Sequence, residues 1–399
     1  MASFLYRAAA AACIAFLVAL PASAQVQAGP GAWSERQTWA ADTTYGDTLT
    51  GFYYWPATSP QLGGKRALVL VLHGCAQSAA GDVIDSTTDA GFNWKATADR
   101  HGAVILAPNA TGNLYGAHCW DWAAADRSRN HGHSAVLFDL VRRFMQDPRF
   151  AIDPNQVYVA GLSSGGAKTM VLGCQAPEIF AGVGINAGPP PGVSTSQIGW
   201  VPPGFTATTA ADNCRAMAGP NAPHFATQVA SVVWGSMDFL VAQAYGPLDA
   251  AALRQAYGGA YTRGANANVP IGGSNVPWFD ANGKVRTSEM TVAGMGHAWP
   301  AGAGGQKGNF VDAARVDYPA FLMDFWSRNN LRVTGANACF MCAAAAATNE
   351  AHVQAGRAYG SGRYAFAKGS HLILGLNDAF HSSTLAQIAA GYYIVGACP

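Results

Sequence analysis

Residues 157–166 read VYVAGLSSGG, and the fold turns on how this stretch is read. Val157, Tyr158, Val159 and Ala160 are apolar and mostly β-branched or aromatic, which is the composition of a short buried strand. Gly161-Leu162-Ser163-Ser164-Gly165 follows without a break, and Ala167 to Leu172 then has the composition of a helix start. A strand, a tight Gly-x-Ser-x-Gly turn and a helix together present a serine as a nucleophile. Such a turn is strained, and glycine at 161 and 165 permits close backbone approach. The Ser163 hydroxyl is lifted clear of its neighbours, at a helix N-terminus whose dipole favours developing negative charge. The competing reading is a Gly/Ser-rich loop that binds nothing; the flanking strand and helix argue against it.

The neighbouring segments alternate in kind. Gln37 to Tyr54 mixes polar and aromatic residues as one or two antiparallel strands, and 67–72 (ALVLVL) is a buried strand of the parallel-sheet type. A helix over 92–100, a strand over 103–108 and an amphipathic helix over 135–145 follow. Beyond the elbow come strands at 180–186, 231–238 and 289–293, and a closing helix at 321–329. Pro189 to Ala211, rich in Pro, Gly and Thr, reads as a long loop at the mouth of the site. This alternation predicts a mostly parallel, doubly wound sheet, the α/β-hydrolase fold, over residues 25–333. The character changes near 332–338, so 334–399 is expected to form a small C-terminal module.

The N-terminus predicts export. Arg7 precedes an apolar run, Ala8 to Leu20, too short to span a bilayer, and Ala22-Ser23-Ala24 fits a small-x-small cleavage site. Residues 1–24 are therefore read as a signal peptide, placing the product outside the cell or in a periplasm, without a membrane anchor. The chain carries 12% charged residues against 50% hydrophobic, with a formal net charge of +1. No basic patch for nucleic acid and no acidic run for cations is present; a neutral, rather apolar partner suits such a surface. Once Cys13 leaves with the leader, seven of the eight cysteines stay, read as disulfides with one thiol over. Cys339-Phe-Met-Cys342 has metal or redox spacing, but no second Cys/His pair accompanies it, and a structural disulfide is the better reading.

Acyl transfer needs a hydroxyl nucleophile, a base, an acid that orients the base, and donors for the oxyanion. In α/β-hydrolases the order along the chain is Ser, then Asp or Glu, then His. Ser163, Asp238 and His297 supply that order, each just past an expected strand. Asp249 competes for the acid role, and His224 and His133 for the base. The loop after the 67–72 strand begins His73-Gly74-Cys75, so the Cys75 and Ser164 N–H groups are expected to form the oxyanion hole, with His73 structural.

With these residues in hand, the chain resembles the extracellular polyhydroxybutyrate depolymerases and their esterase relatives, which include feruloyl and acetylxylan esterases. The motifs are LHGCAQ at 72–77, CWDW at 119–122, GLSSGG at 161–166, VWGSMD at 233–238 and GMGHAWP at 294–300. The resemblance implies the same triad, no cofactor or metal, and a bridge between Cys75 and Cys119. Trp234 departs from it where many relatives carry His, which bears on the floor of the site; Ser164 stands where Ala is common. Further bridges are expected for Cys174 with Cys214, and for Cys339 or Cys342 with Cys398. The tail, with Asn349, His352, Arg357, Tyr359 and Tyr392-Tyr393, resembles the small substrate-binding module of such depolymerases, without their long linker. A merely stabilising extension is the alternative. The expected activity is hydrolysis of poly(3-hydroxybutyrate) or a close polyester by a monomer acting on the polymer surface or its oligomers, with Trp120, Trp122 and Trp299 as candidate substrate contacts. A feruloyl or acetylxylan-type esterase and a non-catalytic polymer-binding protein are the alternatives.

Overall fold

The computed structural model describes residues 26–88, 90–306, 308–333, 343–368, 370, 372–389 and 392–396. The expected leader, together with Cys339, Cys342 and Cys398, lies outside them.

Twelve strands form one sheet: β1 (Ala32–Trp33), β2 (Gln37–Asp42), β3 (Asp47–Trp55), β4 (Arg66–Leu72), β5 (Val104–Pro108), β6 (Ile152–Leu162), β7 (Gly182–Asn186), β8 (Val229–Gly235), β9 (Tyr261–Arg263), β10 (Ala267–Val269), β11 (Gly273–Asp280) and β12 (Val285–Val292). Its centre runs β5-β4-β6-β7-β8-β12 with every neighbour parallel. Antiparallel strands close both flanks, β3 with β1 and β2 on one side and β11 with β9 and β10 on the other.

The centre is buried on both faces, which is why its strands read as unbroken apolar runs. In β4, Val69 and Val71 enter one core while Leu68, Leu70 and Leu72 enter the other. Helices α1 (Trp94–His101) and α6 (Tyr318–Asn329) cover the valine side, bringing Trp94, Leu322 and Trp326. Helices α2 (Gly132–Gln146), α4 (Ala207–Ala218) and α5 (Tyr245–Tyr257) bring Leu137, Leu140, Ala210 and Leu253 to the leucine side. Helix α3 (Ser164–Gln175) is buried along its whole length. The sheet is the doubly wound α/β-hydrolase sheet expected. Strand order reverses between β4 and β6, and a crevice opens at the carboxyl ends of strands at such a point. Leu72 pairs with Gly161, so the loop after β4 and the turn after β6 leave the sheet side by side.

Two expectations need correction. The Pro189–Ala211 loop ends early, because Thr206 caps α4 by accepting from the Thr209 N–H and the helix begins at Ala207. Helix α5 and strands β9 to β11 have no counterpart in the sequence reading; Gly246 and Pro247 hide the start of α5, and Asp249 and Arg254 interrupt the apolar residues of its buried face.

In the C-terminal region, strands Ala343–Thr348, Ser382–Ala389 and Tyr392–Val395 form one small antiparallel sheet, and Ala358–Ser361, Tyr364–Ala367 and Ile373–Leu376 another. Their shared core holds few large side chains, with Ala358, Ala367 and Leu385 buried. Buried polar groups pin it instead. Asn349 donates to the Leu376 carbonyl at 2.9 Å and accepts from the Ser383 hydroxyl at 2.7 Å, while His352 accepts from Arg357 at 2.9 Å. Among the described residues no helix is long and apolar enough to cross a membrane.

Candidate active site

The turn after β6 has the strain its sequence implies. Ser163 sits at φ 57°, ψ −117°, a conformation that L-residues rarely adopt. Its N–H donates to the Asn186 carbonyl at 2.9 Å, and its own carbonyl accepts from Ala167 at 2.9 Å. A Cβ on Gly161 would lie 2.5 Å from the Gly165 backbone, and one on Gly165 would lie 2.4 Å from the Leu72 carbonyl oxygen. Both glycines are therefore required for elbow and β4 to meet.

Asp238 follows β8. One carboxylate oxygen accepts from the Leu240 and Val241 N–H groups, each at 2.9 Å, which rigidifies the turn. The other lies 2.8 Å from Nδ1 of His297. Both side chains are nearly buried, and the proton on Nδ1 leaves Nε2 as the free base nitrogen. The two loops are tied directly, Met237 N–H to Met295 carbonyl at 2.8 Å, and Asn186 holds the His297 loop through the Ala298 carbonyl at 2.9 Å. Ser163 and His297 face one cleft, lined also by Gly74, Cys75, Gln77, Leu240 and Phe310.

The loop after β4 forms the opposite wall. Gly74 donates to Gln77 Oε1 at 2.8 Å, and Ala76 donates to the Ala117 carbonyl at 2.7 Å. Cys75, between these two engaged residues, lines the cleft. Ser164 is the first residue of α3, whose first-turn N–H groups have no partner within the helix. Gln77 was not singled out from the sequence although it ends the LHGCAQ motif; its amide also donates to the Asn309 carbonyl at 2.9 Å, joining this wall to the Phe310 loop.

His73 is buried behind the loop. Its Nδ1–H donates to the Gly74 carbonyl at 2.7 Å and Nε2 accepts from Ala110 at 3.1 Å. Burial pushes the ring down to about 4, with nearby His133 and His118 acting in the same direction against the Gly74 hydrogen bond. The unfolded chain takes up this proton near pH 6.5, the folded chain only near 4, so stability falls with pH through that window and is whole above it. Urea melts from pH 7 to 4 are expected to lose about 3 kcal/mol from this residue. His73→Asn should flatten that part of the slope; an unchanged slope would assign the acid sensitivity elsewhere.

The rival residues lie apart from the cleft. Asp249 is buried within α5, and burial raises its carboxyl well above the usual range. His133 is buried against the Thr111 carbonyl and Asp121, and His224 is exposed in a short 3-10 segment. Trp234 packs on Gly246 of α5, so its departure from the family pattern does not form the cleft floor. The three tryptophans named as substrate contacts are corrected by burial: Trp120 and Trp299 are 0% exposed and Trp122 4%. The indole of Trp120 donates to the His73 carbonyl at 2.9 Å and that of Trp299 to the Phe92 carbonyl at 3.1 Å, so these rings brace the loops from within. The large apolar groups of the cleft are Leu240 and Phe310, and Phe239, next to Leu240 in the chain, is 82% exposed; Phe310 stands edge-on to His297 at 5.8 Å. The structure holds disulfides Cys75–Cys119 and Cys174–Cys214. The expected third bridge, to Cys398, lies outside the described residues.

The profile of the family described as "Esterase PHB depolymerase" matches residues 52–258. A poly(3-hydroxybutyrate) depolymerase of Ralstonia pickettii is 52% identical over 98% of this chain and 97% of its own length. A poly(3-hydroxyalkanoate) depolymerase C of Paucimonas lemoignei is 28% identical over 64% of this chain and 60% of its own. Among solved structures, an acetyl xylan esterase from Aspergillus awamori aligns with a TM-score of 0.49 at 18% identity, covering 66% of this chain and 94% of that one.

Proposed function

The chain belongs to the esterase family of PHB depolymerases and is a carboxylic ester hydrolase, and from that premise we propose that it cuts poly(3-hydroxybutyrate) or a close aliphatic polyester through Ser163, His297 and Asp238. The observation that carries the triad is the 2.8 Å contact of His297 Nδ1 with Asp238, made by a histidine that shares its cleft with Ser163. Ser163 Oγ attacks the ester carbonyl carbon while His297 Nε2 takes its proton. The carbonyl oxygen becomes an oxyanion, received by the Cys75 and Ser164 N–H groups. Collapse breaks the carbon–alkoxide bond, and His297 returns the proton to the departing chain end as a hydroxyl. Water then attacks the acyl-enzyme, His297 takes its proton, and a second collapse frees the acid and restores Ser163. Asp238 keeps Nδ1 protonated and stabilises the imidazolium.

Substrate choice is read from the apolar surface. Leu240 and Phe310 in the cleft, with the exposed Phe239 beside Leu240 in the chain, suit a substrate that carries methyl groups and no charge. In the C-terminal region, strand pairing places Tyr359 opposite Phe366, Phe366 opposite Ile373 and Tyr364 opposite Leu376. Residues directly opposite share a face, so these five form one apolar and aromatic platform. We assign to residues 334–399 a substrate-binding module and to 25–333 the catalytic domain. Two disulfides fit an oxidising compartment, and secretion behind a 1–24 leader is the reading they support.

The decisive assay is release of soluble hydroxybutyrate from a polyester film, with feruloyl and acetyl esters as controls; turnover of the controls alone would overturn the polyester reading. A chain ending at Thr334 is expected to keep its turnover of short soluble esters and its melting temperature while losing adsorption to polymer granules. If the folded, shortened enzyme still binds granules, the module role fails and Phe239, Leu240 and Phe310 become the polymer contacts.

A further inference from the structure

The four residues Cys119 to Trp122 are all buried, and none lines the cleft. The segment nevertheless touches both residues whose N–H groups form the oxyanion hole. Cys119 is bonded to Cys75. The Trp120 N–H points to the Ser164 hydroxyl at 3.5 Å, and its indole holds the His73 carbonyl at the root of the Cys75 loop. Asp121, next in line, lies 2.6 Å from the Lys168 ammonium, one helical turn beyond Ser164 on α3. Residues four apart share a helix face, so Ser164 and Lys168 grip successive residues of one strap.

This ion pair is built for position. Both side chains are 2% exposed. Asp121 also accepts from the His133 N–H at 3.0 Å and the Tyr45 hydroxyl at 3.1 Å, while Lys168 donates to the Ser134 hydroxyl at 2.8 Å. Burial alone would raise the Asp121 carboxyl, but the Lys168 ammonium and then His133 more than reverse this and hold it ionised, well below the usual carboxylate range. Gly132 leaves room for it, since a Cβ there would lie 2.2 Å from a carboxylate oxygen. Desolvating two charges offsets most of their attraction, so such a pair contributes little net stability while specifying one geometry.

We propose that Asp121 and Lys168 are positioning residues whose ion pair clamps the 119–122 strap along the first turns of α3 and thereby sets the separation of the Cys75 and Ser164 N–H donors. The proposal rests on the reading of those two N–H groups as the oxyanion hole. Oxyanion donors act only when held within about 2.7–3.1 Å of the developing charge, and small misplacements far from the chemistry are costly in rate.

The test compares the full-length enzyme with Asp121→Asn, Lys168→Met and the double variant Asp121→Asn/Lys168→Gln, which leaves no lone buried charge should the single variants fail to fold. Glu289→Gln serves as the stability control, because it breaks another nearly buried ion pair, Arg254–Glu289 at 2.6 Å, remote from the cleft. For each, kcat and KM on a short soluble ester, affinity for a boronic acid that forms a tetrahedral adduct on Ser163, and melting temperature are measured. The clamp variants are expected to lose about 100-fold in kcat with KM little changed, and to lose boronate affinity in parallel. Glu289→Gln should lower the melting temperature alone. A clamp variant that stays folded and keeps kcat, or that loses kcat without losing boronate affinity, overturns the proposal. If Ser163→Ala binds the boronate as well as the unaltered enzyme does, the reading of the active site itself fails, and the clamp fails with it.

Discussion

Ser163→Ala is expected to lose on the order of 10⁶-fold in kcat on any ester, because nucleophile, base and acid act as a unit and what remains is binding and the oxyanion donors. The fold should survive, since the Ser163 backbone makes the contacts that shape the turn, N–H to Asn186 and carbonyl to Ala167. Alanine at φ 57° bears the strain that serine already bears. The check is turnover of a soluble ester together with circular dichroism. The neighbouring Ser164→Ala keeps its N–H and loses only the long 3.5 Å contact with Trp120, so it should retain far more turnover than Ser163→Ala. If Ser164→Ala were the dead variant and Ser163→Ala the live one, the register of the elbow would be wrong by one residue.

Asp238→Asn is expected to lose about 10⁴-fold in kcat, with KM nearly unchanged. With its oxygen held by the Leu240 and Val241 N–H groups, the uncharged amide turns its NH2 toward His297 Nδ1, so it cannot compensate the imidazolium and it favours the tautomer that leaves no base nitrogen toward Ser163. Asp249→Asn is the paired comparison. Its carboxyl is buried in α5, outside the cleft, and burial raises it well above the usual range, so its replacement touches neither Ser163 nor His297. Turnover within a few-fold of the unaltered enzyme is expected. Were Asp249→Asn the inactive variant and Asp238→Asn the active one, the acid assignment would be reversed.

Much of this enzyme is legible along the chain. Strands β4, β5 and β6 are buried on both faces, so their apolar runs carry the signal without help from neighbours. The elbow is local chemistry, a serine between glycines where strand passes to helix, and so is the order of Ser163, Asp238 and His297. Other features have no local signature. The Asp238 and Asp249 side chains are alike in sequence; one meets His297 because β8 lies beside β12, and the other turns into a helix packing face. The CWDW tryptophans advertise aromatic surface but not which way they point, and burial sends them inward to hold the His73 carbonyl and the protein core. Leu240 and Phe310 reach the cleft because they sit on loops that the parallel sheet brings to one crevice. Lys168 and Asp121, 47 residues apart, become an ion pair only when α3 lies against the strap. Residue type and local period state which groups are available and which element each rides on. Which groups meet is decided by long-range packing, because burial energy depends on the neighbours a side chain acquires and not on its place in the chain.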